Sequence, residues 1–393
     1  MERIRRFTKE NPWMLLGLAG ILLLVGISLF YNRQHNAAGA GSDPKNSPTP
    51  ISKETGANAL VSQAAEPQEP TEPPVSPTPT TDPHQGMVRS ALTNEWMEES
   101  MAGRRPIAVM LNNVKVAVPQ TGISHAGIVY ECMVEGNVTR LMAVIEDYEG
   151  LAKIGSVRSC RAYYVYWALE WDALYLHYGG PVKYVSELLK RSDVHNLDGT
   201  YLEGLTFYRT SDRKAPHNAY GSGEGVVLGA DKKGYPLAHT ERFVERHFRF
   251  APDGEPNLLS EGISAKRVEP GYSYNQPWFA YNEEDGLYYR YQYGQPQIDD
   301  MTGEQLAYKN VIFQFAESKT LDHNGYLSFT TKASNMDGYY ITNGRAISVT
   351  WSKTGDFEPT RFYDADGNEI VLNTGKTWIC VIQNSKRGNV VLE

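Results

Sequence analysis

The sequence predicts an α+β protein. A mixed sheet with helices in the first half packs against a mostly antiparallel β second half, a layered sandwich preceded by a transmembrane helix and a disordered stalk. Three observations predict this. Residues 13–31 are 19 consecutive uncharged, mostly aliphatic positions, followed by a proline-rich tract. Between residues 105 and 250, short β-branched or aromatic runs alternate with stretches of helical spacing. Beyond 250 the chain reads almost wholly as short strands separated by Asp- and Asn-containing glycine turns. No internal repeat is present.

The anchor comes first. At a rise of about 1.5 Å per residue, a helix over 13–31 just spans a bilayer core of roughly 30 Å. Arg3, Arg5, Arg6 and Lys9 precede it and only Arg33 follows closely, so residues 1–12 stay in the cytoplasm and the bulk faces outward. The alternative is a cleaved signal peptide, with Ala38-Gly39-Ala40 as its processing site. The apolar run exceeds the usual signal core and that site lies far beyond it, which favours a retained signal anchor. Residues 32–86 form the stalk. Ten prolines fall within 36–85 among Ser, Thr, Ala and Glu, with almost no large apolar side chain to offset ordering entropy. A chain of that composition averages about 40 Å end to end and reaches about 150 Å when stretched.

The remaining sequence divides into an α/β part over 87–250 and a β-rich part over 251–393. In the first, 106–111, 128–132, 138–148 and 173–178 read as strands. Residues 161–171 read as a buried aromatic helix, and 182–190 as a helix with Val182, Val185, Leu188 and Leu189 on one face. A further helix is expected over 239–250. In the second part, strands are expected at 278–281, 287–293, 310–316, 326–331, 346–351, 360–363 and 377–382. The 25 tyrosines suit a sheet-rich protein with a wide aromatic surface.

Charge and cysteines narrow the function. A net charge of −8 and a pI near 5.7 argue against a nucleic-acid partner, which needs a basic stripe. Cys132, Cys160 and Cys380 are far apart and odd in number, so neither a disulfide scaffold nor a thiolate metal site is expected. Cys160 lies between Arg158 and Arg161, which could make it reactive. The preferred reading is a small buried residue.

Several stretches together resemble the YerB-like family of bacterial surface proteins, which carries no assigned reaction. They are Arg105-Pro-Ile-Ala-Val-Met-Leu-Asn-Asn113, Pro119-Gln-Thr-Gly-Ile-Ser124, Ile128-Val-Tyr-Glu131, Gly155-Ser-Val-Arg-Ser-Cys-Arg161, His177-Tyr-Gly-Gly180 and Ala215-Pro-His-Asn218. In the second half they are Thr350-Trp-Ser-Lys353, Arg361-Phe-Tyr-Asp364 and Gly375-Lys-Thr-Trp-Ile379. The likeness runs over roughly residues 90–391. It implies a mixed α+β sandwich in two sub-parts, an extracytoplasmic location and an unknown activity. Many relatives look like lipoproteins held through an N-terminal cysteine. The first cysteine here is Cys132, so attachment is expected through the helix instead. Pro181 and Cys160 also depart from the residues usual there.

The densest polar set comprises Glu131, Glu135, Arg140, Arg158, Arg161, His177, Arg209, Arg213 and His217. Arginines in this number suit carboxylate or phosphate groups, which they grip in bidentate fashion. Arg–Glu pairs that merely tie loops together are the plainer reading. The ligand-binding candidates are therefore Arg158, Arg161, His177, Arg213, His217, Glu131 and Arg140, with His177 and Arg158 foremost. Two histidines with Glu131 or Glu135 could form an acid/base pair, but no metal motif is present and no metal or cofactor is expected.

Three decoys are set aside. Ser211-Asp-Arg-Lys214, Ser273-Tyr-Asn275 and Lys353-Thr-Gly355 follow the order of penicillin-recognising serine enzymes. Pro216 and Gly221, Gly223 and Gly225 nevertheless argue against the helix that chemistry requires. Gly221-Ser-Gly-Glu-Gly225 is not expected to hold phosphate, since no strand leads in and no Gly-Lys-Ser/Thr follows. Asp364-Ala-Asp-Gly367 reads as a hairpin turn. The expectation is a cell-membrane protein with an extracytoplasmic domain, a binding or scaffold module for an anionic wall polymer or an envelope protein. The alternative is a wall hydrolase with His177 or His217 as base and Glu131 or Glu135 as acid.

Overall fold

In a computed structural model, residues 83–393 are described and belong to one compact unit. The expected cytoplasmic tail, the expected membrane helix at 13–31 and all but the end of the expected stalk lie outside the described residues. No helix among the described residues is long and apolar enough to cross a membrane.

The first strands of the main sheet are short, mostly apolar runs, buried along their whole length: β1 (Ile107–Asn112), β2 (Ile128–Met133) and β3 (Thr139–Ile145). Burial on both faces fits their lack of polar alternation. There follow α1 (Ala162–Leu169), β4 (Leu174–His177), α2 (Val182–Leu189), β5 (Asn196–Asp198) and α3 (Gly223–Lys233). The second half contributes β6 (Ile263–Ser264), β7 (Arg267–Glu269), β8 (Trp278–Asn282), β9 (Leu287–Gln292) and β10 (Asn310–Ala316). It continues with β11 (Ala333–Thr342), β12 (Arg345–Lys353), β13 (Arg361–Tyr363), β14 (Thr377–Gln383) and β15 (Val391–Leu392).

Eleven strands form one sheet in the order β6-β12-β11-β10-β14-β2-β3-β1-β4-β5, with β13 paired to β12. The two halves therefore share a single sheet. Their seam is a parallel ladder, Thr377 opposite Ile128 through Val381 opposite Cys132. Face-to-face packing alone would have left the edges of β2 and β14 with unpaired backbone groups in the interior, and the ladder removes that cost.

Side chains on β2 alternate between two covering layers. On one face, the Tyr163 hydroxyl of α1 donates to Met133 O at 2.8 Å, and Tyr130 accepts from Trp171 Nε1 at 3.0 Å. On the other lies a smaller sheet containing β9, β8, β7 and β15, whose Phe279 ring meets Trp378 edge-on at 5.8 Å.

Four local expectations need correction. Residues 239–250 are not helical: Thr240 N and Oγ1 donate to the Asp172 carboxylate at 2.7 and 2.9 Å, and His247 stacks 3.4 Å from Trp171. These contacts pull the segment open across the end of α1. Val182 does not join the apolar face of α2 but is 74% exposed, while Val185 is buried. Strand Ala219–Gly221 does lead into the glycine tract, and α3 follows it, with Ser222 as N-cap accepting from Gly225 N. Glycine is required there by close approach, since a Cβ on Gly223 would fall 2.0 Å from Tyr148 O. The tract is still no anion loop: Gly223 N is taken by Leu151 O and Gly225 N by Ser222 Oγ. Finally, β11 lies in a stretch for which no strand is expected.

Candidate functional site

Parallel pairing sets the site. β1 runs parallel to β4, and β4 to β5, while on its other side β1 is antiparallel to β3. From the carboxyl ends of β1 and β4 the chain departs in opposite directions along the sheet, the arrangement that opens a ligand crevice in α/β sheets. The segment Ser156–Cys160 inserts between those two ends. Arg158 N donates to Met110 O at 2.8 Å, Tyr178 N to Arg158 O at 3.0 Å, and Cys160 N to Gly179 O at 3.0 Å.

This insertion gathers three arginines. Arg140, on β3, is only 6% exposed and donates from Nη1 to Ser159 O at 2.6 Å. Burial, then the like charges of Arg161 and Arg158, push its guanidinium down to about 10. Arg161 donates from Nε to Glu135 Oε2 at 2.9 Å and from Nη1 to Cys160 O at 2.6 Å, and its Nη2 is ion-paired with the same carboxylate. Burial works against both charges, but mutual attraction prevails: Glu135 lies below its ordinary value and Arg161 above. Arg158 differs. Its guanidinium makes no hydrogen bond or ion pair among the described residues, and its Nε is buried without a partner. Burial and the charge of Arg161 lower its pKa. Three guanidinium groups thus share one carboxylate.

Other sequence candidates fall around or away from this cluster. Asn112 Nδ2 lies 2.8 Å from His217 Nδ1, and burial with Arg158 and Arg213 lowers that imidazole. Arg213 is spent on the loop after β1, donating to Ala117 O and Pro119 O at 2.7 and 2.9 Å. Arg209 is exposed and donates to Asn218 Oδ1 at 3.0 Å. His177 is fully buried, with Nδ1 2.9 Å from Gly179 O and Nε2 3.3 Å from Asn196 Oδ1. Glu131 points to the opposite face. It is fully buried, paired with Arg290 at 2.5 Å, and accepts from Thr139, Asn275 and Trp378 at 2.8, 2.9 and 3.2 Å. The structure therefore brings together Arg140, Arg158, Arg161 and Glu135, with His217 at the edge, and leaves Glu131 and His177 outside.

Cys160 lies under Gly180, where a Cβ would approach its Sγ to 2.6 Å. Burial pushes the thiol up to about 12 despite the adjacent arginines. All three cysteines are buried and free. Lys353 and Asn275, from the decoy motifs, are tied into buried networks with Glu170 and Glu131. Among the described residues, no group of three or more His, Cys, Asp or Glu side chains could hold a metal ion.

Two cavities flank the cluster. One, of about 460 Å³, lies against Gly179, Gly180, Val185 and Asp198. The other, of about 250 Å³, has Arg161 at its edge and walls of Tyr163, Tyr166, Tyr184, Tyr326 and Phe329. Sequence reasoning missed this aromatic chamber. Its only trace was the tyrosine count, because the walls come from residues more than 140 positions apart.

Fold and site together define a mixed α+β protein with an arginine-lined crevice at parallel strand ends. Two family models match it: the protein of unknown function (DUF3048) N-terminal domain over residues 92–236 and its C-terminal domain over 268–379. YerB of Bacillus subtilis (strain 168), named as a candidate lipoprotein, is 27% identical over 297 residues, covering 75% of this chain and 86% of that protein. The crystal structure of YerB from Bacillus subtilis aligns with a TM-score of 0.67 at 25% identity, covering 78% of this chain and 99% of that one. The chain belongs to the YerB-like family. The family models carry no assigned activity.

Proposed function

We propose that the chain is an extracytoplasmic binding module that seats an anionic group of a cell-wall polymer against Arg158, Arg161 and Arg140. The observation that carries this is Arg158, a half-buried guanidinium left without a partner where three arginines share one carboxylate. Holding an unpaired charge out of water is costly, and a bound carboxylate or phosphate offsets that cost through paired, charge-assisted hydrogen bonds. The expected membrane anchor and stalk would keep such a module within reach of wall polymers.

Co-sedimentation of the purified protein with cell walls, before and after removal of their phosphate polymers, tests the reading. Charge-assisted hydrogen bonds contribute about 1.5–3 kcal/mol, so Arg158→Gln should weaken retention by roughly 10- to 150-fold. Retention should also fall as salt rises. Failure to bind either wall preparation, or binding indifferent to Arg158→Gln, overturns it. Capture of an envelope protein alone, again dependent on Arg158, would move the anionic group to a protein partner.

A further inference from the structure

The tyrosine-walled chamber beside Arg161 says what kind of molecule carries the anion. It is built by α1 and α2 from the first half and by the hairpin of Ser318–Thr320 and Leu327–Phe329 from the second. The Tyr184 and Tyr326 rings lie 5.6 Å apart and tilted by 59°, and Tyr163 meets Phe329 at 4.9 Å and 61°. These faces form a corner rather than a flat stack. The Tyr184 hydroxyl donates to Asp322 Oδ2 at 2.8 Å, which fixes that wall. The Arg161 guanidinium lies 5.3 Å from the Tyr326 ring centre. A molecule filling the chamber therefore touches aromatic faces and, at one edge, the group that leads into the cation cluster.

Shape and chemistry restrict the occupant. About 250 Å³ admits one six-membered ring with its substituents and is small for a lipid acyl pair. Tyrosine combines a broad apolar face with a polar tip, which suits a ligand that is apolar on its faces and polar around its rim. A pyranose has that form, with C–H groups above and below the ring and hydroxyls at the edge. Arg161 and the unpaired Arg158 complement an acidic substituent on the same ring.

We infer that the chamber is a subsite for the pyranose ring of an acidic sugar, whose carboxylate or phosphate rests on the Arg140–Arg158–Arg161 cluster. This rests on the binding function proposed above and adds the substrate class.

Titration calorimetry on the full-length protein in detergent tests it with five probes. N-acetylmuramic acid and N-acetylglucosamine 6-phosphate carry both ring and acid. N-acetylglucosamine carries the ring alone, and lactate and inorganic phosphate the acid alone. The acidic sugars should bind at least tenfold tighter than either half, and the tighter of the two identifies the acid as carboxylate or phosphate. Tyr326→Leu and Tyr184→Leu should lower acidic-sugar affinity about tenfold, to the level of lactate or phosphate, leaving those acids unchanged. Tyr326→Phe, which keeps the ring, should retain most of the affinity and shows that the pocket wall still folds. Acidic sugars no tighter than ring-free acids, or insensitive to Tyr326→Leu, overturn the subsite, while Arg158-dependent binding of lactate or phosphate would preserve the anion reading. Absence of binding by every acidic probe overturns both.

Discussion

Replacing Glu131 by glutamine removes a negative charge from a place that water does not reach. Glu131 and Arg290 are both fully buried, 2.5 Å apart, where β9 of the small sheet crosses the seam between the two halves. The Arg290 guanidinium lies over the rings of Phe279 and Trp378, at 4.7 and 4.6 Å from their centres. The carboxylate accepts hydrogen bonds on both oxygens, from Arg290 and Trp378 on one and from Thr139 and Asn275 on the other. Glutamine offers one oxygen and places an N–H₂ donor against donors at the other position. It also leaves Arg290 charged and unpaired. Breaking a buried pair from one side costs about 3–5 kcal/mol. At roughly 2–4 °C per kcal/mol for a domain of this size, the unfolding midpoint should fall by about 10 °C. Near-ultraviolet circular dichroism, dominated by the buried tryptophans, follows the transition. The double substitution Glu131→Gln with Arg290→Met should recover at least half of the loss, because an apolar chain then packs against the two rings and no buried charge is left unpaired. A midpoint within about 2 °C of the parent for Glu131→Gln, or no recovery in the double variant, refutes the reasoning.

Acid should also destabilise the protein through His247. Burial, then repulsion from Lys353 and Arg361, holds this imidazole well below its ordinary value. The folded state therefore binds that proton less readily than the unfolded chain. The associated stability is complete above about pH 6.5 and declines as pH falls toward the folded value, by at most about 1.4 kcal/mol per pH unit. His247→Phe keeps an aromatic ring on Trp171 and should flatten the fall in urea midpoint between pH 6.5 and 5; an unaltered slope would argue against this role. Gly223→Ala should cost about 2–3 kcal/mol in chemical denaturation, since its Cβ would fall 2.0 Å from Tyr148 O. Gly150→Ala, with open space around it, should stay within about 0.5 kcal/mol, and equal effects of the two would contradict the packing argument.

Much of the architecture was legible from local pattern. Strand Asn310–Ala316 was expected to the residue, and α1 and β4 to within a few positions, because each is a short, mostly apolar or aromatic run whose length and residue types select its element. The arginine set was also visible as residue types. What the pattern hid were segments whose conformation is imposed from a distance. Residues 239–250 carry helical spacing, yet Asp172 and Trp171 hold them open. The glycine tract suggested a loop, yet α3 forms because Gly223 lets it approach Tyr148 O. Strand β11 contains turn-like residues but is held by pairing with β10 and β12 on both sides.

The sequence by itself determined most of the strand and helix runs of the core and the presence of Arg158 and Arg161 within Gly155–Arg161. Burial, periodicity and charge act over a few residues, so they can be read along the chain. Only the tertiary structure decided that β2 and β14 join two halves in one sheet, that Glu131 and Arg158 lie on opposite faces, and that tyrosines from α1, α2 and a distant hairpin form one chamber. Strand pairing and side-chain convergence are fixed by which edges and faces remain unsatisfied once the local elements exist, and that is a property of the whole fold.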